Sequence, residues 1–108
     1  MLDPLYSELA DDEEIRDLID KFRDGLSGRV DALTAALDAR DWVTLRRLAH
    51  TLKGAAGCFG YPTVAFAASV LERAAEAGDA AASRARLSDV VRLCDRALAA
   101  AVSERACA

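Results

Sequence analysis

Asp41-Trp42-Val43-Thr44-Leu45-Arg46-Arg47-Leu48-Ala49-His50-Thr51-Leu52-Lys53-Gly54-Ala55-Ala56-Gly57-Cys58-Phe59-Gly60-Tyr61-Pro62 holds one helix and both of its end signals. Asp41 is a good N-cap, because its carboxylate can accept a hydrogen bond from the first turn. Gly60 can take the left-handed backbone that stops a helix, and Pro62 can only start another. The spacing therefore predicts a helix from Trp42 to about Phe59. Wound at about 100° per residue, Leu45, Leu48, Ala49, Leu52, Ala55, Ala56 and Phe59 fall within an arc of roughly 120°. That arc is a core face, and it has to be covered by other elements.

The flanking sequence supplies them. Pro62 to Ala77 carries Val64, Ala67, Ala68, Leu71, Ala74 and Ala75 on one side. Gly78 stops that helix and Asp79 caps the next, which runs to about Arg105. Its inward residues are Leu87, Val90, Val91, Cys94, Leu98, Ala101 and Val102. Upstream, from about Asp12, Ile15, Leu18, Ile19, Phe22, Leu26, Val30, Leu33 and Leu37 trace one face of a long helix that closes at Asp38 to Asp41. Gly25 and Gly28 each cost it about 1 kcal/mol against alanine. The apolar face passes through both without a phase shift, so a continuous helix is predicted. Asp3-Pro4 reads as N-cap and N1 of a short first helix ending near Leu9 or Ala10. No alternating apolar–polar run is long enough for a strand, and there is no internal repeat. The expected fold is all-α: an antiparallel up-down four-helix bundle with a short extra N-terminal helix.

Composition sets limits on function. The 108 residues suit one domain spanning 1–108, since two independent cores would not fit. With 53% hydrophobic and 30% charged residues, the chain can bury a core and stay soluble. The net charge of −4, without a basic block, argues against a nucleic-acid partner. No run approaches the roughly 18 apolar residues of a bilayer span, so no membrane association is expected. Met1 to Asp12 lacks a signal peptide's basic start and apolar centre, which makes the cytoplasm the default location. Cys58, Cys94 and Cys107 show no CxxC spacing. They read as reduced thiols, Cys58 and Cys94 packing in the interior rather than binding metal.

His50 is the only histidine. It lies roughly 160° from the centre of the apolar arc, so it is not a core residue. It shares its face with Val43, Arg46, Lys53, Gly54 and Gly57. Two glycines at exposed interior positions of one helix cost about 2 kcal/mol relative to alanine. Bare backbone beside an imidazole lets another protein approach the ring closely. Lys53 at i+3 and Arg46 at i−4 bring cations to the same region, where they can steady an anionic group and steer an acidic partner. Free imidazole titrates near about 6.5, so much of it is neutral at cytosolic pH and nucleophilic without a dedicated base. Phosphoryl transfer asks mainly for position and charge compensation, and no clustered Asp/Glu motif sits beside His50 in sequence.

His50-Thr51-Leu52-Lys53-Gly54-Ala55-Ala56-Gly57-Cys58-Phe59-Gly60 resembles the signature of histidine-containing phosphotransfer (HPt) domains, His-x-Leu-Lys-Gly-small-small followed by an apolar residue and Gly. Ala49 and the stretch from Val64 to Glu72 are also similar to the family, so the match covers about 25 residues closely and the whole chain as a bundle. The resemblance implies that His50 is phosphorylated on Nε2, that Lys53 assists the phosphoryl group and that Gly54 clears space for the docking partner. It implies receiver domains of response regulators and of a hybrid histidine kinase as partners. No intrinsic cofactor is expected, with Mg²⁺ and the acceptor aspartate coming from the receiver. Arg46, Val43 and Gly57 are candidate docking residues. Cys58 and Tyr61-Pro62 are less usual for the family and bear on helix length and partner choice.

Three other readings compete. A kinase dimerisation and phosphoacceptor region would pair helical hairpins between chains, whereas this chain can close its own core and is expected to be a monomer. It has no glycine-rich nucleotide site for autokinase activity. A helical adaptor with an incidental histidine leaves the glycines and Lys53 unexplained. A metal site at His50 lacks a second ligand at i+3 or i+4.

Overall fold

A computed structural model describes the backbone of residues 3–107 and the side chains of residues 3–101. The helix quoted above, α3, runs Trp42–Cys58. Asp41 Oδ1 accepts the Thr44 backbone N–H at 3.2 Å, which satisfies one of the first-turn donors. At the other end Gly60 takes φ 81°, and the Tyr61 N–H returns to the Ala56 carbonyl at 2.8 Å. Glycine is required there on two counts. The backbone is left-handed, and a Cβ would stand 2.6 Å from Ser7 Oγ and 3.0 Å from Leu9. Pro62 then opens α4, Pro62–Glu76, as its first residue. Gly78, at φ 64°, separates α4 from α5, Ala80–Cys107, whose first turn is capped by Asp79 Oδ1 accepting from Ala82 N–H at 3.0 Å.

Upstream lie α1, Arg16–Asp24, and α2, Leu26–Asp38. The expected continuous helix is therefore divided at Gly25. The Gly25 N–H is shared between the Lys21 and Phe22 carbonyls, at 3.2 Å each, so the ladder changes step there. An apolar stripe in phase on both sides cannot report such a slip. Arg40, between α2 and α3, is left-handed at φ 54°, and its guanidinium donates to the Leu37 carbonyl at 3.1 Å.

The expected helix from Pro4 to Ala10 is absent. Residues 3–7 are irregular and 8–11 form a turn, with α1 starting only at Arg16. Tertiary hydrogen bonds capture this backbone instead. Leu5 N–H donates to Arg96 O at 2.9 Å, Arg96 Nε donates to Asp3 O at 2.9 Å, and Glu8 N–H donates to Gly60 O at 2.8 Å. The buried Ser7 hydroxyl donates to Phe59 O. These bonds strap the segment across the α3–α4 turn and α5.

Among the described residues every regular element is helical, and no helix is long and apolar enough to cross a membrane. The core joins Leu26, Leu33 and Leu37 of α2 to Leu45, Ala49, Leu52 and Ala56 of α3, Val64, Ala68 and Leu71 of α4, and Val90, Cys94 and Ala97 of α5. Each fully buried leucine stabilises the fold by roughly 1.5–3 kcal/mol through apolar area removed from water. Phe22 belongs to the core, its ring 5.4 Å from Phe59 and 5.7 Å from Tyr61. Tyr61, which reads as a turn residue in the sequence, is buried. Leu18, on the predicted stripe, is exposed, and so is Cys58, correcting its reading as a packing residue. Cys94 is buried, and burial pushes its thiol up to about 11. The inward placement expected of Val102 lies outside the described side chains.

Candidate functional site

His50 sits in the middle of α3 with its side chain 65% exposed, on the face the helical projection assigns to it. Its Nδ1 lies 3.1 Å from Oε2 and 3.3 Å from Oε1 of Glu72 on α4. Lys53, one turn after His50, places Nζ 3.7 Å from the same Oε1. Glu72 is thus shared by an imidazole and an ammonium, and its own side chain is only 13% exposed. The turn explains why these groups meet. His50 stands ten residues before Gly60 and Glu72 ten after Pro62, so equal lengths of helix bring them level.

The chemistry follows from what each atom can do. A neutral imidazole has one N–H and one lone pair, and an ionised carboxylate can only accept. The proton therefore belongs on Nδ1, facing Glu72, and the lone pair on Nε2. With the ring largely exposed, Nε2 is an accessible nucleophile whose orientation is fixed from behind. Lys53 adds a cation to the same cluster.

Gly54 and Gly57 are exposed on the same face. A Cβ built on either would meet nothing within 4 Å, so no internal packing asks for glycine there. Gly28 on α2 is equally unfilled. Gly54 and Gly57 differ from Gly28 in standing one and two turns after the exposed His50. Val43, 70% exposed, and Arg46 stand two turns and one turn before His50. Arg46 makes no hydrogen bond or ion pair among the described residues and does not join the Glu72 cluster. Charge is unevenly distributed. α3 holds Arg46, Arg47 and Lys53 and no acid, whereas residues 3–41 hold twelve acids and five bases. The helix that carries His50 is therefore basic on a chain of net charge −4.

Glu72 is the member of this cluster that the sequence pattern does not single out, because it is 22 residues from His50 along the chain. The available signal was the pair of equal distances to the Gly60–Pro62 turn. Among the described residues, no cluster of three His, Cys, Asp or Glu side chains could hold a metal ion.

No curated protein and no solved structure matches the chain. The Hpt domain family matches it over residues 17–104, from the second residue of α1 to near the end of α5. That span contains His50, Lys53, Gly54 and Glu72 and excludes the N-terminal strap. The chain belongs to the Hpt domain family, and with that membership comes a phosphotransfer role in two-component signalling.

Proposed function

We propose that the chain is the histidine phosphocarrier of a multistep phosphorelay, taking a phosphoryl group from one receiver aspartate onto His50 Nε2 and passing it to another. The observation that carries this reading is the 65% exposed imidazole of His50, whose Nδ1 is held by Glu72 at 3.1 Å. In the accepting step the Nε2 lone pair attacks phosphorus, the N–P bond forms and the aspartyl O–P bond breaks. The aspartate leaves as a carboxylate. Nε2 carries no proton to remove, so no general base is needed. The proton stays on Nδ1, which donates to Glu72 throughout, and the positive charge that develops on the ring is offset by that carboxylate. Lys53 stands close enough to pair with the incoming phosphoryl oxygens. The return step reverses each bond change.

The remaining roles follow from position. Gly54 and Gly57 leave room for receiver loops, while Val43 and Arg46 extend the contact toward the start of α3. In this reading the receiver brings Mg²⁺ and the aspartate, and the carrier has no cofactor and no autokinase activity of its own. The carrier acts in the cytoplasm as a monomeric, single-domain, antiparallel up-down bundle. Its partners are receivers of response regulators and of a hybrid histidine kinase. Incubation with a phosphorylated receiver domain and Mg²⁺ tests the proposal. Label should appear on the wild type and be absent from a folded His50→Gln variant; equal labelling of both, or of neither across a broad receiver panel, would overturn it.

A further inference from the structure

The end of α3 that carries Gly54 and Gly57 is weak by composition. Both glycines fall in its last two turns, where a helix frays first and where glycine disfavours it most plainly. The corner that follows is held from outside the helix pair. Gly60 N–H spans 3.4 Å to Gly57 O, a long bond, while the carbonyls of Phe59 and Gly60 are both taken by the N-terminal strap. The Ser7 hydroxyl donates to Phe59 O, and Glu8 N–H donates to Gly60 O at 2.8 Å. No other protein donor reaches either carbonyl among the described residues. Ser7 is buried, and its Oγ also accepts Leu9 N–H at 3.0 Å. One hydroxyl thus closes the strap on itself and on α3, and removing it orphans an acceptor and a donor together. The far end of the strap is tied to α5, where Arg96 exchanges bonds with Leu5 and Asp3, each at 2.9 Å.

We propose that Ser7 is a positioning residue for phosphotransfer: by closing the strap on the α3–α4 turn, it keeps the glycine-bearing end of α3 in the shape a receiver docks against. The inference rests on the phosphocarrier reading above. Glycines that clear a docking face loosen the helix that bears them, and the strap restores order from outside that helix. Gly60, where the strap is anchored, stands ten residues from His50, about 15 Å along a helix, so Ser7 does not touch the reacting atoms. Its effect falls on the fraction of molecules that present a formed docking end. Apparent affinity for the receiver scales with that fraction, whereas the rate within the docked complex does not. The strap lies outside residues 17–104, the span that matches the family, so this contribution is this chain's addition to the shared bundle.

The test compares the full chain with three variants. Ser7→Ala breaks the anchor on α3 and Arg96→Ala the one on α5, while Asp79→Ala removes the α5 cap and destabilises the chain away from the strap. Native-state hydrogen exchange reads the amides of Gly57 to Tyr61. Transfer from a phosphorylated receiver is followed over a range of receiver concentrations, at a temperature where every variant is folded. For Ser7→Ala the expected result is exchange about tenfold faster in that segment, and a half-saturating receiver concentration about threefold higher with the maximum rate unchanged. Arg96→Ala should shift both readouts in the same direction, and Asp79→Ala neither. Unchanged exchange at 57–61, an unchanged half-saturation, a lowered maximum rate, or the same shift in Asp79→Ala overturns the proposal. If the wild type takes no label from any receiver, the phosphocarrier reading fails and the docking role falls with it. Faster local exchange in Ser7→Ala would then tell that failure apart from a failure of the strap.

Discussion

Gly54→Ala and Gly57→Ala should make the protein more stable and less active, two effects of opposite sign from one methyl group. Both glycines lie inside α3, and a Cβ at either meets nothing within 4 Å, so the isolated chain accepts the methyl without strain. Alanine is favoured over glycine in a helix interior by about 1 kcal/mol, mainly because the unfolded glycine chain has more freedom to lose. For a domain of this size that corresponds to a melting temperature raised by about 4 °C per substitution. At a close interface the same methyl costs about 1–3 kcal/mol, which slows transfer from a receiver by roughly fivefold to a hundredfold. Gly28→Ala is the internal control. Its site is equally open but lies on α2, so it should stabilise alike and leave transfer unchanged. Thermal melts followed by circular dichroism, with rapid-quench transfer on the same samples, read both effects. If Gly54→Ala destabilises the chain, the glycine is structural; if it stabilises and transfer is unaffected, the clearance role is wrong.

Other expectations concern single groups. Glu72→Ala removes the acceptor that keeps the proton on His50 Nδ1; a charge-assisted hydrogen bond at a partly exposed site contributes about 1 kcal/mol, so transfer should slow about fivefold. Imidazole ¹⁵N shifts should show the tautomer becoming mixed in that variant, and an unchanged tautomer with an unchanged rate would remove Glu72 from the mechanism. Asp41 has its carboxyl held below the ordinary 3.8 by its hydrogen bonds with Thr44, first through the side chain and then the backbone. A lowered folded-state value means stability that is present above the unfolded value and lost as pH falls through the folded one. Urea melts of wild type and Asp41→Asn should therefore differ most near neutral pH and converge in acid; a gap that widens in acid contradicts the cap. Cys94, buried with its thiol raised to about 11, should resist alkylation in the native protein while exposed Cys58 reacts. Peptide mapping that finds both labelled equally would show that α5 opens readily.

Local signals were legible where the relevant chemistry is local. The α3 boundaries are written in Asp41, Gly60 and Pro62, and the exposure of His50 follows from helical phase alone. The N-terminal segment misled because Asp3-Pro4 is a sound helix start by local rules, but its backbone groups and the Ser7 hydroxyl bond to Arg96, Gly60 and Phe59, between 52 and 93 residues away. Gly25 interrupts a stripe whose phase is preserved, so periodicity could not find the break. Tyr61, a turn residue by its local sequence, closes the core against Phe22, a placement decided by packing across helices. Glu72 was hidden for the same reason: its partner is level in space and a full helix away in sequence.

The account stands most directly on a two-stage transfer. The chain is first labelled from a phosphorylated receiver, purified away from it, and then mixed with a second, unphosphorylated receiver and Mg²⁺. The prediction is acid-labile, alkali-stable label on His50 that leaves the chain only when the second receiver is added and reappears on that receiver's aspartate. Label lost at the same rate with or without the second receiver, or label carried equally by the His50→Gln chain, would contradict the claim that His50 is a phosphoryl carrier.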